Sequence, residues 1–300
     1  MIFFKTDFRK NKYLYLMLLP VVVYFGLFHY QPMLGLQIAF KDYSFRKGIW
    51  ASPWVGFSHF IDFFKSYYFV RLLRNTLFIS LSDLIWGFPA PIILALLINE
   101  LRWNFFKRAV QSITYLPHFI SLVVVAGMIK DFFGLNGLAN TFVSTLGLEK
   151  INFFLEGEYF VPIYIGSNIW QHIGWGTIIY LAALSSIDPQ LYEAARIDGA
   201  GKIRQIIHIT IPGILSTIVI LLILRTGRAL NVGSEKILLL YNPAIYENAD
   251  VISTFVYRKG LEEANYSYAT AVGFFNSVVN FIIISLTNAF SRKVSETSLW

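Results

Sequence analysis

The feature that most restricts this chain is a polar insert, Tyr192 to Pro212, lying between two long apolar runs. It reads YEAARIDGAGKIRQIIHITIP, with Glu193, Arg196, Asp198, Lys202 and Arg204 close together. A charged connection between membrane spans must sit in water. Its own pattern is helix, turn, helix. Glu193-Ala194-Ala195-Arg196 favours a helix, and Gly199-Ala200-Gly201 allows a sharp bend. Ile203, Ile206, Ile207 and Ile211 then recur at helical spacing. Pro212 suits the first turn of the next helix. The expectation is a rigid knob at the membrane surface with one apolar face.

Of the 300 residues, 56% are hydrophobic and only 14% are charged. Soluble proteins carry about a quarter charged residues, so the chain reads as an all-α integral membrane protein. The net charge of +7 admits a nucleic-acid partner. The basic bias of cytosolic membrane loops explains it more simply. With no cysteine, disulfides, thiol catalysis and thiolate metal sites are excluded.

Six spans are expected. Residues 1–12 form a basic cytosolic leader, and the first span covers Tyr13 to Phe28. No small-residue cleavage site follows it, so it reads as an uncleaved anchor. The others cover Leu72 to Ile98, Ala109 to Ile129, Tyr159 to Leu184, Gly213 to Val232 and Tyr268 to Phe290. Residues 13–290 then make one transmembrane domain holding the polar loop, 191–212, and 291–300 are a tail. With both termini in the cytosol, Lys and Arg are roughly 2.5 times as dense in the cytosolic segments as in the external ones. This charge argument places the polar loop in the cytosol as well.

Catalytic motifs are missing. Gly201-Lys202 suggests a phosphate loop, but the required earlier glycine is Arg196. The chain has no HExxH and no GxSxG, and its five histidines are scattered. It reads as a non-enzyme, with no catalytic residues, no metal site and no cofactor of its own. Any Mg-ATP belongs to another chain.

Polar residues inside spans are costly and therefore informative. On the fourth span Asn168, Gln171 or His172, and Trp175 share a helical face; on the sixth, Asn276 and Asn280 do so with Gly273. These stripes either bind sugar through amides and aromatic rings or hydrogen-bond helix to helix. The fifth span carries Arg225 and Arg228. Arg225 lies roughly 18 Å into that span, where an arginine costs about 2.5–3.5 kcal/mol. The two cations either meet a carboxylate, Asp83 being the clearest, or face an anionic substrate.

The polar insert resembles the EAA loop of permease subunits of ABC importers. The matching residues are Glu193-Ala194-Ala195, Gly199, Ile209 and Ile211-Pro212, with Ile211 replacing the usual leucine. Gly35-Leu36, Phe40 to Tyr43, Trp54 to Phe57, Arg74-Asn75-Thr76 and Leu116-Pro117 are similar to the carbohydrate branch. Leu238 to Pro243 and the ending Val294 to Trp300 resemble permeases for polysaccharides and their oligosaccharides. Where that branch tends to have Gly-Phe-Glu-Gln, this chain has Gly233-Ser234-Glu235-Lys236. The resemblance implies a coupling helix between the fourth and fifth spans, with Glu193, Ala194, Ala195, Asp198, Gly199, Ile209 and Pro212 engaging an ATPase. It also implies a second homologous permease, two ATPase subunits, an extracytoplasmic solute-binding protein and membrane lipid as partners, in a bacterial inner membrane. The substrate leans acidic, towards a uronate; neutral oligosaccharides are the alternative, and an ion-coupled secondary transporter is the rival class.

Overall fold

The computed structural model describes residues 10–227, 230 and 232–295. Arg228, one of the expected path residues, lies outside them. The described residues are almost wholly helical, and their one extended pairing is an isolated bridge between Lys41 and Trp54. In chain order the principal helices are α1 (Lys12–Phe40), α2 (Tyr68–Glu100), α3 (Asn104–Tyr115), α4 (Leu122–Thr145) and α5 (Phe160–Ser185). Then come α6 (Pro189–Ile197), α7 (Lys202–Gly213), α8 (Leu215–Thr226), α9 (Ser234–Leu240) and α10 (Tyr266–Ser295).

Helices α1, α2, α4 and most of α10 are long and apolar enough to cross a bilayer. A fifth crossing is added if α7 and α8, bent by 62° at Ile214, are one broken span. The expected fourth span is α5, whose 26 residues reach about 39 Å. Its polar residues Asn168, Gln171 and His172 hold its hydropathy below that of the other four.

The expected third span, Ala109 to Ile129, is divided. Pro117 has no backbone N–H to continue α3, and the chain makes a short 3-10 turn over Leu116–Phe119. Ser121 then caps α4, its hydroxyl accepting from the Val124 N–H at 3.4 Å. The apolar crossing therefore starts at Leu122 and runs on to Thr145, beyond the expected end at Ile129.

Two compact units are present. The first joins residues 1–66 to 256–275. In it, no residue in the most apolar window of α1 is buried. Phe40 meets Phe57 and Phe274 edge to face and Phe60 at a tilt. Lys41 is buried yet satisfied, donating to the Ile49 carbonyl at 2.8 Å and lying 4.7 Å over the Trp54 ring.

The second unit comprises 67–255 and 276–300. Its centre is α5, which packs along the Pro89–Glu100 half of α2 and along α3. Close approach needs glycine. A Cβ on Gly174 would collide with the Thr114 carbonyl, and one on Gly176 would lie 2.9 Å from Pro91. Ile79, Val125, Ile163, Tyr164 and Ile237 share one apolar core, and Ala95, Tyr180, Leu184 and Ile214 another. The Arg74-Asn75-Thr76 motif holds a loop in place. Arg74 and Asn75 both donate to the Glu247 carbonyl, and the Thr76 hydroxyl accepts from the Ile252 N–H at 3.0 Å.

Candidate functional site

Helix α2 is interrupted in the middle. Residues Asp83–Gly87 form a π turn, followed by Pro89 and Pro91. Such turns loosen the regular ladder and recur at functional positions. Here the turn sets Asp83 against α5 and α8. The Asp83 carboxylate accepts from Arg225 Nη2 at 2.6 Å and from the Asn168 amide at 3.0 Å. Gly87 makes room for the pair, because a Cβ there would stand 2.7 Å from the guanidinium.

This triad forms part of the wall of a cavity of about 710 Å³, together with Phe88, Tyr180 and His172. A second cavity of about 400 Å³ shares Tyr164, Asn168 and His172 with it and adds Glu235 and Lys236. Both volumes suit a small ligand. Polar amides, aromatic rings and charged groups together form a lining that can bind sugar hydroxyls and C–H faces. His172 meets His118 at 3.2 Å between Nδ1 atoms, and the His118 ring stacks on Trp175 at 4.6 Å.

The expected path residues therefore separate. Asn168 and Arg225 come together at the cavity wall. Gln171 and Asn276 are buried away from it, and Trp175 sits beside His118 outside the two cavity linings. The Asn280 carbonyl oxygen accepts from the Leu230 N–H at 3.1 Å, a bond that ties α10 to the segment after α8. Of the two options for Arg225, the structure has the carboxylate pair.

Lys236 is not among the expected path residues. It is 3% exposed, and its ammonium has no hydrogen-bond partner among the described residues. The sequence does carry a signal for it: a lysine directly before Ile237-Leu238-Leu239-Leu240, on a helix that must bury its apolar face. Burial lowers its pKa to about 8, opposed by the Asp83 carboxylate.

The Asp83–Arg225 pair is about one-quarter to one-third exposed, so its strength lies between that of a surface bridge and that of a buried one. Replacing either residue by alanine should cost on the order of 1–3 kcal/mol by those limits. The double replacement should cost clearly less than the sum. Thermal unfolding of the purified complex and its three variants measures this coupling, and strict additivity would refute the pairing.

The polar loop has the shape its sequence suggests. Asp188 caps α6, its carboxylate accepting from the Gln190 N–H at 2.9 Å. Gly199 ends the helix at φ +74°, with Ala200 N–H donating to the Ala195 carbonyl at 2.8 Å and Gly199 N–H to that of Arg196 at 3.1 Å. This is a left-handed glycine stop. Gln205 folds back onto the Ala200 carbonyl at 2.7 Å, and the Tyr192 hydroxyl reaches that of Thr210 at 3.0 Å. Glu193, Ala194, Asp198 and Pro212 are exposed, while Ala195 and Ile209 are half-buried. Ile197 and Ile203 stand 86% and 75% exposed. The loop runs directly into α8, the helix that carries Arg225, through the bend at Ile214.

Residues 68–296 match a family described as binding-protein-dependent transport system inner membrane component. The chain belongs to this family. Among relatives of this transport component, the polygalacturonan/rhamnogalacturonan transport system permease protein YteP of Bacillus subtilis (strain 168) is 46% identical, covering 100% of this chain and 96% of that one. A crystal structure of a bacterial ABC transporter involved in the import of the acidic polysaccharide alginate contains a chain that is 47% identical at a TM-score of 0.92, covering 97% of this chain and 99% of that one. A second structure, of an alginate ABC transporter with an alginate pentasaccharide-bound periplasmic protein, matches with the same identity and TM-score, over 98% and 99%. The chain is thus an all-α ABC-importer permease, an inner-membrane transport component.

Proposed function

We propose that this permease forms half of the translocation path of an ATP-driven importer of acidic oligosaccharides or polysaccharides. The observation that carries the reading is the polar cavity around Asp83, Asn168 and Arg225, in a chain 47% identical to one in an alginate transporter. Its partners are a second homologous permease, two ATPase subunits holding Mg-ATP, and an extracytoplasmic solute-binding protein. The alginate complex with its periplasmic protein supports the last of these.

In this reading there are six crossings with both termini in the cytosol: α1, α2, α4, α5, the bent pair α7–α8, and α10. Helix α6 and the start of α7 couple to the ATPase through Glu193, Ala194, Ala195, Asp198, Gly199, Ile209 and Pro212. The exposed Ile197 and Ile203 give that contact its apolar surface. Closure of the ATPase pair moves the loop, and the bend at Ile214 passes the motion to α8 and the cavity. Binding of nucleotide opens the cavity outward, and hydrolysis resets it.

A neutral oligosaccharide is the second reading, because Asp83 already matches the Arg225 charge. Uptake into proteoliposomes holding both permeases and the ATPases, with the binding protein outside, tests both. Acidic oligomers should enter only with ATP inside. Accumulation driven by an ion gradient without ATP would overturn the reading, and uptake of neutral oligomers alone would favour the second.

A further inference from the structure

We infer that Lys236 is a specificity-determining residue of this path, the cation that meets a carboxylate of the substrate. The inference rests on the acidic-substrate reading above and goes beyond it by assigning the group that reads the acid.

Arg225, the cation the sequence brings forward, is already engaged: Asp83 holds it at 2.6 Å. Lys236 differs. Its residue is 3% exposed, its Nζ makes no hydrogen bond among the described residues, and its nearest described aromatic face is Tyr164, 5.7 Å from the ring centre. A buried ammonium without hydrogen bonds is expensive, and a methionine of similar length would fill the same space without that cost. Packing alone therefore does not account for a lysine here.

The surroundings indicate what would. Lys236 lines the 400 Å³ cavity beside Asn168, His172 and Ser253, whose amide, imidazole and hydroxyl suit sugar oxygens. Through Asn168 and His172 this cavity adjoins the larger one. The Nζ is shielded in this conformation, so the assignment requires the flexible stem to rotate and present it to the cavity when substrate arrives. An arriving carboxylate supplies the missing acceptor in a site of low dielectric, where a charge-assisted hydrogen bond is strong. A neutral hydroxyl satisfies the ammonium less well, so the lysine favours an acid over its uncharged counterpart.

The test uses the assembled complex in nanodiscs and equilibrium binding of labelled trigalacturonate and its carboxyl-reduced, neutral counterpart. Wild type should bind the acid more tightly. Lys236→Met should weaken acid binding about tenfold or more and weaken the neutral trimer by much less, so that the preference for the acid is lost. Lys236→Arg should restore most of the preference. If wild type prefers the acid and Lys236→Met keeps that preference, the assignment to Lys236 is overturned and the acidic-substrate reading stands. If wild type has no preference for the acid, the acidic-substrate reading fails first. Because the methionine variant removes a buried charge, it should assemble at wild-type yield. Should it not, a loss of preference in Lys236→Gln with Lys236→Arg intact supports the assignment, and retention in Lys236→Gln overturns it.

Discussion

Replacing Gly174 by valine should abolish assembly of the complex, while Gly166→Ala on the same helix should leave it intact. At Gly174 the backbone of α5 touches the backbone of α3. An added Cβ would overlap the Thr114 carbonyl carbon and oxygen and come within 2.8 Å of the Tyr115 nitrogen. These are main-chain atoms, so no side chain can rotate out of the way. The two helices would have to separate, and overpacking of that kind costs typically 1–3 kcal/mol or more. The loss extends further, because small residues let membrane helices pack where no hydrophobic force draws them together. Gly176 sits two residues on against Pro91, so separation at Gly174 also opens the α5–α2 contact. A methyl group added at Gly166 would meet nothing within 4 Å, and an alanine there only favours the helix. Size-exclusion profiles and thermal unfolding of both variants check this. A fully assembled Gly174→Val would mean that α3 and α5 are not in backbone contact in the working protein.

Much of the architecture can be read in the residues. Long apolar runs can only be helices in a bilayer, so the helical class and most spans follow directly. The polar loop is equally legible. Its glycine stop depends on local backbone chemistry, and Gly199 takes the left-handed conformation that the position after a helix favours. The boundary of the third span is partly legible. Gln111, Ser112, Thr114 and His118 make its first half polar, the strongly apolar run begins only at Leu122, and the break at Leu116–Phe119 comes from a missing N–H at Pro117. The apolar content of α5 falls short because it carries Asn168, Gln171 and His172, of which Gln171 is buried, Asn168 half-buried and His172 exposed.

The candidate site is less legible, since it depends on pairing between distant residues. Asp83, Asn168 and Arg225 lie on three helices, and helical spacing within one span cannot reveal which meets which. The stripe on α10 has the pattern of a sugar-binding face, yet Asn280 serves a backbone N–H. Lys236 is hidden in a different way. It lies in a short segment with the character of an external loop, and only burial makes its charge costly.

The second large effect concerns coupling. Gly199→Val should reduce ATP-driven uptake by at least tenfold while the complex still assembles, whereas Gly199→Asn should stay near wild type. At φ +74° an L-residue loses on the order of 1–2 kcal/mol, and a β-branched one more, whereas asparagine tolerates this region. A Cβ at Gly199 would meet nothing within 4 Å, so the penalty is conformational and does not come from a clash. Relief of the strain means leaving the left-handed stop and breaking the bonds from Ala200 to Ala195 and from Gly199 to Arg196. Helix α6 then loses its fixed angle to α7, and the exposed Ile197 and Ile203 shift relative to each other. The core around Ile214, Tyr180 and Leu184 lies outside this turn, which is why assembly should survive. The informative measurement is the ratio of sugar taken up to ATP hydrolysed. A fall in that ratio for valine but not for asparagine identifies backbone geometry as what the loop contributes. Equal losses in both variants would point to side-chain interference with the partner, and unchanged uptake in both would remove the loop from the coupling mechanism.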